Sequence, residues 1–472
     1  MATPIPENRA VFTLEELVRA TRGHLRGGDV RVQGVVTDSR AVRPGSLFVA
    51  LRGERHDAHR FLPEVAKAGA AAVVVHRGAE LPAGIAAIEV DDTLEALGAI
   101  ARHHRDRWGR KVVAITGSAG KTTTKELTRA ALEGTGARVL ATTGNLNNRI
   151  GVPMTILGLG DEHEIAVIEM GTSERGEIEK LGAIGRPDVS VVTLVSAAHT
   201  EGIGTVEDVA HEKGALFRAL HRQGIAVANA DDPRVRAQSE SVSVRDRLLY
   251  GRSSDAHVRV VDVESTDTGL LARIHVEGLG RPFDVVLRIP GEVAAQNAAA
   301  ALSVAHALGL DVEAASRGLA SVEPGAGRMR PVAGPRGSLV LDDTYNANPR
   351  SMEAAIRAGR DLADRRGGRL LLALGDMKEL GHLEEEAHGA VGELVAECRA
   401  SFFVGVGHAM QTAVEVAARA GVSSALADDA EDAVPVLREG LERGDVLVVK
   451  GSRSMRMERI VASLEAHGGE RP

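Results

Sequence analysis

A chain of 472 residues is about three domains long at roughly 150 residues per domain. Its 57 Lys plus Arg against 65 Asp plus Glu leave a net charge of −8, and aromatic residues make up only 2%; tracking phosphates and stacking bases needs the reverse of both, so nucleic acid is not an expected partner. A single cysteine, Cys398, excludes an internal disulfide framework, and no Cys/His spacing suits zinc, so a reducing cytoplasm is the expected location.

Other features narrow the class further. With 44% hydrophobic residues each domain can build a core. No apolar run reaches the ~18 residues of a membrane span, and the residues before Val11 lack a basic region followed by an apolar core, so no signal peptide is expected. The cations are unevenly divided, with eight lysines against 49 arginines. Each lysine therefore stands where arginine was not used, and its position is informative.

In chain order, residues 1–108 mix short strands (Gly34–Thr37, Leu47–Ala50, Ala71–Val75, Ala86–Val90) with short helices (Leu14–Thr21, Phe61–Ala68, Thr93–Trp108), a small mixed α/β domain. From Lys111 apolar strands alternate with amphipathic helices, the pattern of a mostly parallel sheet. These strands are Lys111–Thr116, Ile165–Met170, Val189–Val195 and Gly224–Ala228. Near Leu248 the pattern changes to short alternating strands (His257–Val263, Leu270–Val276, Phe283–Ile289), an antiparallel meander closed by a helix, Ala294–Leu308. The Pro- and Gly-rich stretch Pro324–Gly337 reads as a linker. A third, Rossmann-like α/β unit follows, with strands Leu339–Asp342, Arg369–Leu374, Ser401–Val404 and Val446–Val449. The expected domains are 1–108, 109–327 and 328–472.

Strand Lys111–Thr116 runs into Gly117-Ser118-Ala119-Gly120-Lys121-Thr122-Thr123 and then a predicted helix, Thr124–Glu133. Strand, glycine loop, Lys-Thr and helix is the arrangement that cradles phosphate. Gly117 and Gly120 let backbone N–H groups curl toward phosphate oxygens, and the helix N-terminus adds partial positive charge. Lys121 would reach the terminal phosphates and the Thr122 hydroxyl would coordinate Mg²⁺. Position 115 is Ile where the strict motif has Gly, so an ordinary strand-to-helix turn is the competing reading.

In an open parallel sheet ligands bind outside the carboxyl ends of the strands. Glu169, His199 and Asn229 all fall there, and Lys213 lies on the predicted helix Val206–Leu220 between them. An acidic strand end beside a phosphate loop suits a magnesium ligand. Taken singly, Glu169 also reads as a surface carboxylate, His199 as a structural histidine and Lys213 as a solvated one.

Together these blocks resemble the Mur ligase superfamily, ATP-dependent amino acid and peptide ligases of peptidoglycan precursor synthesis. The likeness runs through Thr37-Asp38-Ser39-Arg40, Arg43–Gly53, the phosphate loop, Thr143–Pro153, Glu169-Met170-Gly171 and His199-Thr200-Glu201-Gly202. It continues through Lys213, Asn297, Gly327-Arg328 and Lys450-Gly451-Ser452-Arg453. Within the superfamily, Asp342-Asp343-Thr344-Tyr345-Asn346-Ala347-Asn348-Pro349 and Leu374-Gly375-Asp376-Met377-Lys378-Glu379-Leu380-Gly381 resemble the branch that adds D-alanyl-D-alanine to UDP-N-acetylmuramoyl-tripeptide. The tripeptide-forming branch carries Asp-Asn-Pro-Arg in its last domain; here Asp231-Asp232-Pro233-Arg234 lies in the central one and reads as a turn. The first domain departs from the family's Asp-Gly-His-x-Phe at Asp57-Ala58-His59-Arg60-Phe61; alanine disfavours φ > 0, so this loop is expected to differ in geometry.

The resemblance implies a cytoplasmic, ATP-dependent ligase that forms a C–N bond through an acyl phosphate, serving cell-wall biogenesis, cell shape and division. It implies Ser39 and Arg40 in a UDP site and Asn147 and Asn148 along the nucleotide-sugar path. It implies Thr122 and Glu169 on one Mg²⁺, with His199 and a carbamylated Lys213 on a second. Asn297 would lie near adenine, and Arg328 and Asp343 near ribose and phosphates. Tyr345, Asn346, Asn348, Lys450 and Arg453 are candidates for facing the substrates, Lys450 reading equally as a strand-end basic turn. The implied partners are UDP-N-acetylmuramoyl-tripeptide and D-Ala-D-Ala, and a monomer suffices. Alternatives are a tripeptide synthetase or folylpolyglutamate-type ligase, or a P-loop ATPase module without ligation.

Overall fold

A computed structural model describes residues 3–53, 56–266 and 269–465. Among the described residues strands gather into four sheets, and none draws strands from two of the three segments read above. The N-terminal segment pairs Val11–Thr13 with Arg31–Gln33 and builds a five-stranded sheet in the order His24–Arg26, Ala86–Val90, Ala72–His76, Leu47–Val49, Val35–Val36. The helix Thr93–Trp108, capped by Asp92 accepting from Leu94 and Glu95 N–H, packs between the first sheet and the central-domain helices Gly151–Leu157 and Glu177–Gly185. Its Arg105 is nearly buried and pairs with Asp188 at 3.0 Å.

The central sheet has nine strands, in the order Phe283–Leu287, Leu270–Val276, Val258–Ser265, Asp246–Gly251, Ile225–Asn229, Val189–Val192, Lys111–Thr116, Ile165–Glu169, Val139–Ala141. Its strands are parallel from Val139–Ala141 through Val258–Ser265, and the last three form the antiparallel meander. The middle strands are buried on both faces, hence their unbroken apolar runs, while Leu270–Val276 alternates. The helix Glu292–Ala307 packs its run of buried alanines into the core, which small side chains let it approach closely. The chain leaves Lys111–Thr116 for one side of the sheet and returns at Val189–Val192 for the other, so these neighbouring strands flank a switch-point crevice.

The C-terminal sheet runs Arg330–Ala333, Leu339–Asp343, Val446–Lys450, Leu370–Gly375, Phe402–Val406, Ser424–Ala427, all parallel except the first. No helix among the described residues is long and apolar enough to cross a membrane.

Several expectations need correction. Part of the predicted linker is a four-residue edge strand, Arg330–Ala333; Pro331 is tolerated there because an edge residue can spare its N–H. The strand from Val189 stops at Val192, and Thr193 just beyond it donates from Oγ1 to the Ala119 carbonyl at 2.6 Å. The helix after the phosphate loop starts at Lys121, three residues before the predicted start. In the first domain Ala58 opens a short 3₁₀ turn without a positive φ, and Asp57 caps it at His59 N–H, 3.0 Å. Asp232, read as part of a turn, caps the helix Pro233–Glu240.

Candidate active site

The phosphate loop closes over the switch point. Ser118 N–H donates to Leu194 O at 2.8 Å and Ser196 N–H to Ser118 Oγ at 3.0 Å, stitching it to the neighbouring strand end. Two glycines are obligatory. A Cβ at Gly117 would sit 1.9 Å from Thr193 Oγ1; at Gly120, φ +81°, it would sit 2.9 Å from Asn297 Oδ1. Lys121 Nζ donates to Gly117 O at 2.6 Å, and burial holds its ammonium below the ordinary lysine value, with Glu169 opposing that shift.

Beside the loop, Glu169 is 2% exposed and its two oxygens are shared. Thr122 Oγ1 donates to one at 2.8 Å and Asn147 Nδ2 to the other at 2.7 Å. His199 sits at φ +58° and its Nδ1 meets the carboxylate of Glu379 from the C-terminal domain. Burial and then the charge of Lys213 lower the His199 pKa, against the pull of Glu379. Lys213, on the helix Val206–Arg218, is 1% exposed, and its Nζ has no hydrogen-bond partner among the described residues. Burial, then the charge of Lys121, pushes it well below the ordinary lysine value and raises the share of neutral amine.

The opposite wall comes from the C-terminal strand ends. Lys450 Nζ, buried, donates to Asp343 Oδ2 at 2.6 Å and Asn346 O at 2.8 Å. The Arg328 guanidinium lies 3.9 Å from the Tyr345 ring centroid. Asn348 caps the helix Pro349–Arg366 and reaches back to donate from Nδ2 to Ser118 O at 3.2 Å, tying this domain to the phosphate loop. Between the walls lies a cavity of about 930 Å³. Ser118, Ala119, Gly120, Lys121, Thr122, Thr123, Asn147, Asn148, Glu169, His199 and Asn297 line it from the central domain, and Arg328, Asp343, Tyr345, Asn346, Asn348 and Lys450 from the other side.

Not every candidate joins it. Gly117 and Lys213 lie behind the lining. Ser39 and Arg40 stand apart on the first domain in a 3₁₀ turn capped by Asp38, with Arg40 pairing Asp38 at 2.6 Å. Arg453 is exposed and pairs with Glu458 at 3.2 Å. Asn229 does line the cavity, but its amide is spent on backbone, Nδ2 donating to Thr193 O at 2.8 Å and Oδ1 accepting from Asp231 N–H at 2.9 Å. Two further residues bear on the site. Glu379 was given no role within its motif, and Lys125, 1% exposed, donates to Thr142 O at 2.7 Å while Thr142 Oγ1 accepts the Glu169 N–H at 2.9 Å. The scarcity of lysine was a usable signal for Lys125.

The chain matches the description "Mur ligase middle domain" over residues 115–305, "Mur ligase, glutamate ligase domain" over 327–453 and "Mur ligase family, catalytic domain" over 31–105. It is 38% identical to the UDP-N-acetylmuramoyl-tripeptide–D-alanyl-D-alanine ligase of Escherichia coli strain K12, across 97% of this chain and 99% of that one. The chain belongs to the Mur ligase family. A crystal structure of MurF from Acinetobacter baumannii superposes on this Mur ligase with a TM-score of 0.86 at 30% identity, covering 98% of this chain and all of that one. MurF ligase from Thermotoga maritima, solved in complex with ADP, superposes with a TM-score of 0.82 at 30% identity, covering 93% and 98%.

No group of three or more His, Cys, Asp or Glu among the described residues is arranged to hold a metal ion by itself. The oxygen donors that this Mur ligase offers are Glu169 and the Thr122 hydroxyl, with the His199 ring lining the same cavity, while unmodified Lys213 offers a buried amine and no oxygen. The set fits a hard divalent cation once Lys213 carries a carboxylate.

Proposed function

We propose that this Mur ligase joins D-alanyl-D-alanine to UDP-N-acetylmuramoyl-tripeptide, converting ATP to ADP and phosphate and yielding the UDP-muramoyl-pentapeptide of peptidoglycan synthesis. The observation that carries the reading is the two-walled cavity, with a phosphate-cradling loop facing the strand ends of a second domain. The full-length relatives at 33–38% identity that carry this enzyme's name support it over a tripeptide synthetase, a folylpolyglutamate-type ligase or a bare ATPase. We assign residues 1–108 to the UDP-sugar, with Ser39 and Arg40 at the UDP, 109–327 to ATP and 328–472 to the dipeptide. The enzyme works as a cytoplasmic monomer.

A carboxylate is a poor electrophile, so the tripeptide carboxylate first attacks the γ-phosphate and releases ADP. The resulting acyl phosphate is attacked at carbon by the dipeptide amine; phosphate departs with the bridging oxygen and the nitrogen loses a proton. The first step drives an anion onto a polyanion, and positioning and charge neutralisation do most of the work. Lys121 exchanges the Gly117 carbonyl for the terminal phosphates, while the loop N–H groups hold the others. Asn297 faces adenine, Arg328 and Asp343 face ribose and phosphates, and Asn147 and Asn148 guide the sugar peptide. Tyr345, Asn346, Asn348, Lys450 and Arg453 shape the acceptor side, Lys450 by fixing Asp343 and Asn346. Thr122 and Glu169 would hold one Mg²⁺, with His199 and Lys213 on a second. Bound there, the cations neutralise phosphate charge. Contact between the C-terminal domain and the loop, through Asn348, keeps water from the acyl phosphate.

Lys213 is carbamylated in this reading. A neutral, buried, unpartnered amine adds CO₂ and loses a proton, becoming a carboxylate on a long arm; guanidinium cannot. Phosphate release from ATP is the test, measured with the UDP-muramoyl-tripeptide alone and with D-Ala-D-Ala or single amino acids added. Release that requires D-Ala-D-Ala is expected; equal release without an acceptor would instead make the protein an ATPase.

A further inference from the structure

Among the motifs singled out in the sequence, Leu374–Gly381 remains without a role. Its Glu379 approaches the cavity from the C-terminal domain and meets His199. Both residues occupy the left-handed backbone region, Glu379 at φ +65° and His199 at +58°, which non-glycine residues leave unless their surroundings impose it. Here both loops are imposed. Thr200 Oγ1 donates to Leu380 O at 2.9 Å and Glu201 N–H to Glu379 O at 3.3 Å, so the two turns are held in register. On its own side the Glu379 turn is anchored as well. Lys378 N–H donates to Ser452 Oγ at 2.8 Å, Ser452 N–H to Asp376 O at 3.0 Å, and Met410 N–H to Asp376 Oδ1 at 3.0 Å.

A neutral imidazole carries one N–H. A carboxylate that only accepts, set against Nδ1, puts the proton there and leaves the lone pair on Nε2. We propose that Glu379 is a positioning residue: brought in by closure of the C-terminal domain, it locks His199 in the Nδ1–H tautomer, so that Nε2 is free to ligate only when the domains are closed. The inference rests on the reading of His199 as a metal ligand. It couples completion of that ligand set to the closure that excludes water, since a carboxylate from one domain sets the basicity of a ligand on the other.

The test begins with metal-free protein. Ring ¹⁵N spectra, with His199→Gln assigning the signals, report which nitrogen of His199 carries the proton. Wild type is expected as Nδ1–H, Glu379→Ala as mainly Nε2–H, and Glu379→Gln, whose amide oxygen still accepts, as wild type. In phosphate-release assays Glu379→Ala then needs about 10–100-fold more MgCl₂ for half-saturation, and Glu379→Gln recovers most of the loss. Glu379 is exposed, so the variants keep the fold. An unchanged tautomer in Glu379→Ala overturns the proposal, as does a shifted tautomer with unchanged Mg²⁺ demand. The spectra need no ligase activity. A wild type that shows Nδ1–H and its loss in the variant, yet never requires D-Ala-D-Ala, would fail the functional reading and leave the tautomer lock standing.

Discussion

Two buried lysines flank the cavity and are built oppositely. Lys450 ends a strand of the C-terminal sheet and spends its ammonium on Asp343 and Asn346, whereas Lys213, on the helix Val206–Arg218, has no hydrogen-bond partner among the described residues. A paired buried cation acts as a strut. An unpaired one is a standing cost that folding alone does not explain, because burial without hydrogen bonds disfavours charge. The C-terminal wall is therefore assembled by its own charges, while the central wall keeps an amine available for chemistry.

Breaking the strut gives the largest expected effect. Lys450→Met strands the Asp343 carboxylate and costs about 3–5 kcal/mol in denaturant unfolding of the C-terminal domain, and adding Asp343→Leu recovers part of it. On the other wall, Lys213→Ala is expected to lower kcat by about 10²–10³-fold with stability intact, and added acetate restores part of the rate. A fully active variant would remove the carbamate from the account. Smaller, and opposite in sign to the strut, is Lys213→Met in CO₂-depleted buffer. It removes the buried amine that has no partner among the described residues and raises Tm, by about 2–4 °C for each kcal/mol gained. A fall in Tm like that of Lys450→Met would erase the contrast between the two lysines. The smallest effect is at the seam: Asn348→Ala removes a helix cap, costing about 1 kcal/mol, and loosens the tie to Ser118, read as a higher KM for ATP.

The central wall was legible because its chemistry is local. Gly117–Thr123 are consecutive, and the strand that ends at Glu169 and the one that precedes His199 are apolar runs buried on both faces. Much of the opposite wall was not. Glu379 lies 180 residues from His199, and only tertiary contact shows that it reaches the ring. Lys450 looked free to face a ligand because no local pattern shows that Asp343, 107 residues earlier, neutralises it. Short edge strands such as His24–Arg26 and Ser424–Ala427 carry too few apolar residues to show a period, and Arg330–Ala333 hid inside a Pro- and Gly-rich stretch. The lysine count was a partial guide, pointing to Lys121, Lys213, Lys378 and Lys450 but passing over Lys125, which braces Thr142 under Glu169.

The central claim is ligation through an acyl phosphate, and oxygen labelling tests it most directly. UDP-muramoyl-tripeptide carrying ¹⁸O in its reacting carboxylate is incubated with ATP, Mg²⁺ and D-Ala-D-Ala, and the released phosphate is weighed by mass spectrometry. One ¹⁸O per phosphate, in step with pentapeptide formed, is the expected result. Pentapeptide accompanied by unlabelled phosphate would contradict the account.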